Sequence, residues 1–342
     1  MRGPEGTQRT VLVIHPGAVG DVLLARKTLL ALRGAYPAHA LGLVARGDIG
    51  ALLCICGEAD RHFPLEGGAL TGLLAGTGTT PSELGPWLRV CDLALCWMDD
   101  PGGLRATLEA AGVSRTVMQS ASGGAIGVHQ ADHLLSMLDG IVHPGTSETP
   151  LALPDAVKEE GLAMLAAREI PESRFVMIHP GSGSLHKCVA PGILARVADE
   201  LSRRGIPVVL AEGPADEAQA RDVLDLCAVK PAVIGGQELL QMAGILAHAT
   251  LFIGHDSGLT HLAAALNVPT VGLFGPTDAG RWAPRGPSVR VLSGPPCQCK
   301  DWQAVKSCTD KPCLRIAPES ILSACAQFLP EPVSAAGISG HS

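Results

Sequence analysis

Two short stretches of this sequence put chargeable residues where an apolar run breaks, and they share their first four residues. Ile14-His15-Pro16-Gly17 runs on to Asp21, and Ile178-His179-Pro180-Gly181 runs on through Ser182, Gly183 and Ser184 to Lys187. A carboxylate ends the first and an ammonium ends the second, and the two suit opposite tasks. Asp21, at the start of a helix, can take a proton from a hydroxyl that attacks an electrophile. The plainer reading of a lone Asp there is a first-turn acid favoured by the helix dipole, at about 0.3–1 kcal/mol. The second stretch offers glycines that permit close backbone approach, two hydroxyls and a positive charge, which together suit a phosphate cradle. It is neither G-x-G-x-x-G nor a Walker loop, so an ordinary turn competes with that reading.

A third stretch adds to the second. Leu251–Gly254 is apolar, His255, Asp256, Ser257 and Gly258 follow, and a helical pattern then carries Thr260 and His261. Asp and Ser here serve as helix caps on the simplest view. That view does not call for a His one turn into the helix, nor for a second turn, Gly275–Thr277, after the next apolar run. Helix N-terminal amides, the Ser257 and Thr260 hydroxyls and Lys187 would together hold a diphosphate. The chain contains no D-x-D, a spacing by which two carboxylates hold a metal ion. The charge of a departing diphosphate would then fall to Lys187 and the amides.

The elements that must position these groups alternate between strand and helix, the pattern of parallel sheets covered on both faces. Strands are expected at 10–15, 41–46, 61–65, 93–98 and 116–119, then at 175–179, 207–211, 232–234, 251–254 and 270–274. Helices are expected at 21–33 and 129–141, then at 190–203, 215–228, 237–248, 259–266 and 318–328. Residues 143–154, rich in Pro, Thr and Gly, read as a linker between two similar doubly wound α/β domains, 1–150 and 151–314. In such sheets ligands bind beyond the carboxyl ends of the strands, so two facing domains make a cleft. Beyond Pro330 the composition predicts a disordered tail, 331–342.

With 342 residues, 46% of them hydrophobic, the chain has material for two cores. A net charge of −7 argues against a nucleic-acid partner. No apolar run reaches membrane-span length and the first residues lack a signal segment, so a cytoplasmic protein is expected. Its 11 cysteines then read as reduced thiols. Cys297, Cys299, Cys308 and Cys313 crowd one segment, but without paired C-x-x-C knuckles the spacing favours a loop cluster over zinc. Arg26, Lys27 and Arg33 fit either a solvated helix face or contact with an anionic acceptor or membrane surface.

Three stretches together resemble glycosyltransferase family 9, typified by the ADP-heptose:lipopolysaccharide heptosyltransferases. They are VLVIHPGAVGDVLLARKTLLALRGAYP, FVMIHPGSGSLHKCVAPGILARVADEL and LLQMAGILAHATLFIGHDSGLTHLAAALNVPTVGLFGPTD, within a likeness running from Val11 to Phe328. The D-S-G-x-x-H turn followed by L-F-G-P-T is its most specific part. The resemblance implies a GT-B fold: two Rossmann-like domains, the first for the acceptor, the second for a nucleotide-diphospho-sugar, with residues 315–330 returning towards the first. It implies inverting, metal-independent transfer of a heptose-like sugar, no cofactor, no metal ligand at the site, an ADP-sugar as favoured donor and a glycolipid or oligosaccharide acceptor such as a lipopolysaccharide core. Peripheral contact with the inner face of the cytoplasmic membrane accompanies that acceptor. Asp21 then matches the general base and Lys187 the diphosphate contact. Ser182, Gly183, Ser184, Glu217, Asp256, Ser257, Gly258, Thr260 and His261 fall on the donor side, and His15, Gly17 and Gly20 on the acceptor side. Two departures stand out. His15 occupies a position that is often Arg, and Lys187-Cys188-Val189-Ala190-Pro191 replaces Lys-x-Trp-Pro. A nucleotide-sugar epimerase or hydrolase on the same architecture, or a non-catalytic sugar-nucleotide-binding subunit, would share most of these features. A dinucleotide oxidoreductase would not, because its G-x-G-x-x-G is missing at the first turn.

Overall fold

The computed structural model describes residues 8–68, 71–74, 83–142, 149–172, 174–213 and 215–329. Among the described residues, eleven strands form two parallel sheets. The first holds β1 (Thr10–Ile14), β2 (Ala40–Ala45), β3 (Arg61–Pro64), β4 (Cys91–Cys96) and β5 (Thr116–Met118), in the order β3-β2-β1-β4-β5. The second holds β6 (Val176–His179), β7 (Val208–Glu212), β8 (Ala232–Gly235), β9 (Leu251–His255), β10 (Thr270–Phe274) and β11 (Val289–Ser293), in the order β11-β10-β9-β6-β7-β8. Each sheet grows outward in both directions from its first strand. The chain therefore reverses direction between β1 and β4 in one sheet and between β6 and β9 in the other, and crevices open at such switch points.

The central strands are apolar throughout because both faces are covered: β1, β2, β6, β9 and β10 are buried along their whole length. Ten of the strands lie where the apolar runs predict them. β11 went unforeseen; it pairs only with β10, and its residues are half-buried or exposed, so it carries no apolar run. The helices Gly47–Ile55, Leu104–Ala110 and Asp155–Ala166 are likewise absent from the sequence pattern. The expected helix at 21–33 is two helices, Val19–Leu24 and Arg26–Ala35, broken at Ala25. Past the break Arg26 turns inward, where its Nε donates to both Glu58 carboxylate oxygens at 3.0 and 2.9 Å.

Two expectations about organisation need correction. The C-terminal helix, Pro318–Ala326, does not return to the first sheet. It packs on the helix Pro191–Arg203 and on β10 and β11, because Ile321, Ala324 and Cys325 complete the second sheet's core. The expected linker is also not a free connector over its described part. Leu151 and Leu153 are buried on alternate positions, and the Leu151 amide donates to the Ala265 carbonyl at 2.7 Å. They belong to a core that runs without interruption from Val22, Leu23 and Leu29 to Ile245, Leu262 and Ala263, joining the two halves. Residues 143–148, and the expected tail at 331–342, lie outside the described residues.

Candidate active site

Adjacent strands at the second switch point carry the residues expected on the donor side. β6 runs into the Gly181–Lys187 loop and β9 into the Asp256–Gly258 turn, so their parallel pairing lays the two loops side by side. Ser182 Oγ donates to the Asp256 carbonyl at 2.6 Å. His255 is fully buried; its Nε2 accepts the Val189 amide at 3.0 Å and its Nδ1 meets the Gly181 carbonyl at 3.3 Å, pinning both ends of the loop. Burial, reinforced by the nearby His179, lowers its pKa to about 4, so it stays neutral and keeps one donor and one acceptor for these bonds.

Lys187 Nζ lies 2.6 Å from Asp256 Oδ2, and His261 Nε2 lies 3.9 Å from Asp256 Oδ1. Burial works against the Asp256 charge. The neighbouring His261 and the Lys187 ammonium outweigh it and hold the carboxyl at about 2. Ser257, at the N-cap of the helix Gly258–Ala265, places its Oγ 3.2 Å from Thr260 Oγ1 and 3.2 Å from His179 Nδ1. Thr260 in turn donates to the His255 carbonyl. His179 Nε2 meets Asp216 Oδ2 at 2.9 Å, which leaves Nδ1 to accept from the Ser257 hydroxyl. Asp216, His179 and Ser257 thus form a hydrogen-bonded line aimed at the helix N-terminus.

The residues expected on the acceptor side reach the same place from the first sheet. After β1, the Ala18 amide donates to Asp21 Oδ2 at 3.0 Å and the Gly17 amide to His15 Nδ1 at 3.1 Å. Asp21 therefore fills its first-turn role and keeps its second oxygen for other partners. His15 is buried against Trp97, with ring centroids 5.1 Å apart, and its Nε2 has no partner among the described residues. Burial brings its pKa down to about 4. The helix Val19–Leu24 then crosses the helix Gly258–Ala265 at backbone range. A methyl on Gly258 would stand 2.9 Å from Val19 Cβ, and one on Gly20 would stand 2.9 Å from His261 Cδ2. Only glycine fits at that crossing, and the crossing brings the Asp21 turn to the Asp256–His261 turn.

The expected residues do not all converge. Lys187, Ser182, Asp256, Ser257, Gly258, Thr260 and His261 meet at the second switch point, with Gly20 against His261. Ser184 is half-buried and accepts the His186 amide at 3.4 Å, while Gly183 is exposed beside it. Glu217 is exposed on the first turn of its helix, and the acid that reaches the loop is its neighbour Asp216. Next to Lys187 a cavity of about 400 Å³ is lined by Pro276, Thr277, Asp278, Trp282 and Trp302. Trp302 belongs to the cysteine-rich segment and stands with its ring 5.9 Å from Lys187 Nζ. The sequence reading missed His179, Asp216, His255, Trp282 and Trp302 as site groups. The repeated Ile-His-Pro-Gly was the one signal pointing to His179.

A polar clamp closes the far side of the crossing. Arg281 donates to the Ser122 and Gly123 carbonyls at 2.7 and 2.6 Å, Arg285 to Asp132 at 2.7 Å, and His129 Nε2 meets the Ala283 carbonyl at 2.9 Å. Of the basic residues considered for a lipid surface, Arg26 is taken up internally, while Lys27 and Arg33 lie beside carboxylates at the surface. Arg26 is buried on Glu58, Arg33 pairs with Asp60 at 2.9 Å, and Lys27 lies 3.7 Å from Asp132. Among the described residues no helix is long and apolar enough to cross a membrane.

Two parallel doubly wound sheets with the loops of their switch points facing each other define the GT-B class. Solved structures share the layout. A family 9 glycosyl transferase from Veillonella parvula superposes with TM-score 0.79 at 18% identity, covering 96% of this chain and 99% of that one. The E. coli ADP-heptose LPS heptosyltransferase II does so with TM-score 0.72 at 19% identity, covering 94% and 98%. The model of glycosyltransferase family 9 (heptosyltransferase) matches residues 136–312, and the chain belongs to that family. Among curated proteins, it is 33% identical to an E. coli lipopolysaccharide heptosyltransferase 3 over 150 residues, 40% of this chain and 44% of that protein. It is 35% identical to a Pseudomonas aeruginosa lipopolysaccharide heptosyltransferase 1 over 164 residues, 47% and 45%. The matched stretch thus spans a little under half the length of these relatives.

Proposed function

We propose that this protein transfers a heptose-like sugar, with inversion, from a nucleoside-diphosphate donor to the core of a lipopolysaccharide or a related glycan. The carrying observation is the close crossing of the helices Val19–Leu24 and Gly258–Ala265, which sets a carboxylate turn against a cationic, amide-rich one. In this reading residues 1–150 hold the acceptor and 151–314 the donor. Asp21 takes the proton of an acceptor hydroxyl, whose oxygen bonds to the anomeric carbon as the bond to the donor phosphate breaks on the opposite face. A single displacement inverts that centre. Lys187, the amides opening the Gly258–Ala265 helix and the Ser257 hydroxyl receive the diphosphate charge without a metal ion at the reacting centre. The favoured donor is an ADP-sugar, since two structures of similar fold are described as ADP-heptose enzymes or as holding ADP. The acceptor would put the reaction at the cytoplasmic membrane face, where Arg26, buried on Glu58, takes no part.

Asp21→Ala tests the reading. Retained donor binding with transfer lowered by the 10²–10⁴-fold or so expected of a general base supports it; undiminished transfer sinks it. A thermal-shift panel of ADP, GDP, UDP and CDP tests the donor class, because a ligand specific for the folded state raises the melting temperature by mass action.

A further inference from the structure

The cysteine-rich segment folds around its thiols. We propose that Cys297, Cys299, Cys308 and Cys313 bind one thiolate-seeking divalent metal ion, zinc or iron(II), and that this ion holds Trp302 in place beside Lys187.

The sulfur atoms of Cys297, Cys299 and Cys308 all lie within 4.8 Å of one another. A tetrahedral zinc–thiolate site, with bonds of about 2.3 Å, places its sulfurs about 3.8 Å apart, inside that range. Cys313 is buried at the end of the same segment, outside the group of three sulfurs, and is assigned as the fourth ligand. The Cys297 and Cys299 sulfurs are 2.8 Å apart, well beyond the ~2.05 Å of a disulfide. They separate by about 1 Å to admit an ion. The Lys311 amide donates to Cys308 Sγ at 3.4 Å, and Lys311 reaches that position in the left-handed region, at φ 43°, where a non-glycine residue is uncommon. An amide turned on a sulfur is what a thiolate needs. Binding releases each thiol proton to solvent and involves no change of oxidation state.

The packing of the segment points the same way. From residue 295 to 312 a single side chain, Val305, is buried. So little apolar burial does not fix a stretch of this length, and small units of this kind depend on a metal or a cross-link. Yet the helix Trp302–Ser307 is formed and its Trp302 ring lies over Lys187. Lys300, Lys306 and Lys311 offset the excess negative charge of a four-thiolate site.

The test needs no sugar transfer. Full-length protein, purified without chelator, is assayed for all metals by plasma mass spectrometry. About one equivalent of zinc or iron is expected, and Cys299→Ser, Cys308→Ser and Cys313→Ser each lose most of it while Cys54→Ser keeps it. Chelator-stripped wild-type protein reloaded with Co²⁺ should show a sulfur-to-cobalt charge-transfer band, which covers the case of a variant that fails to fold. Trypsin cleavage at Lys300 and Lys306 should speed up at least tenfold on stripping and return to its starting rate with Zn²⁺ but not Mg²⁺. Metal below a tenth of an equivalent before and after reloading overturns the proposal, as does a Cys297–Cys299 disulfide in freshly purified protein. Metal bound with trypsin cleavage unchanged overturns the role assigned to it in holding Trp302.

Discussion

Replacing Asp256 by Asn removes one negative charge from the heart of the donor side while keeping its shape. In the folded chain the Asp256 carboxyl is held at about 2, against an ordinary value of 3.8. That difference corresponds to about 2 kcal/mol of folding stability at neutral pH. Asp256 is only 9% exposed, so solvent screening removes little of it. Because the folded pKa is the lower one, the contribution is complete well above pH 4, about half gone at pH 3, and lost as pH falls through 2. The assay is urea unfolding of wild type and Asp256→Asn at intervals from pH 7 to pH 2.5. Taking the difference between the two proteins cancels the titrating groups that do not interact with Asp256. Among those is His15, whose lowered pKa destabilises both proteins alike as pH falls from about 6.5 to about 4, whereas His255 feels the Asp256 charge and is followed separately. The variant should be weaker by about 2 kcal/mol at pH 7, and the gap should halve by pH 3. A gap that stays constant across the range would refute the reasoning, since the cost would then lie in lost hydrogen bonds and not in lost charge.

Three further predictions follow from the crossing, the clamp and the wall beside Lys187. Gly258→Ala sets a methyl 2.9 Å from Val19 Cβ, and should cost about 1–3 kcal/mol in urea and depress transfer with far-UV circular dichroism unchanged; undiminished stability and transfer would show the crossing to be slack. Arg281→Ala strips charged hydrogen bonds from the Ser122 and Gly123 carbonyls and should lower stability by about 1.5–3 kcal/mol, read as a lower urea midpoint. Trp302→Ala removes the ring 5.9 Å from Lys187 and one wall of the adjacent cavity, and should weaken ADP binding about five- to tenfold by calorimetry, the equivalent of about 1 kcal/mol.

What the sequence revealed follows from how each element is stabilised. Strands buried on both faces spell themselves out as apolar runs, which made β1, β2, β6, β9 and β10 legible. β11 pairs on one side only, and its residues face water in part, so no run marks it. The break at Ala25 follows from the buried Arg26–Glu58 pair, a contact 32 residues apart that no local pattern encodes. Lys187, Asp256 and Ser257 were legible because a strand end followed by Gly, Ser and a charge is a local signature. Trp302 was not, because the more than 100 residues between it and Lys187 are bridged only by the folded chain. Asp216 lost out to Glu217 for a related reason. Adjacent acids at a helix start look alike in sequence, and the one that turns inward is chosen by His179, on another strand.

The core shared by Val22, Leu23 and Leu29 with Leu153, Ile245 and Leu262 bears on exchange of parts between relatives. Folds with two sheets joined by a polar hinge can be recombined as modules. Here each half presents unfinished apolar surface that only the other half completes, and Val19 is fitted to Gly258 at backbone range. A chimera that swapped one half for a distant relative's would inherit a mismatched seam before it inherited a new specificity. Substitutions confined to the loops at the strand ends, or made in pairs across the seam, avoid that mismatch.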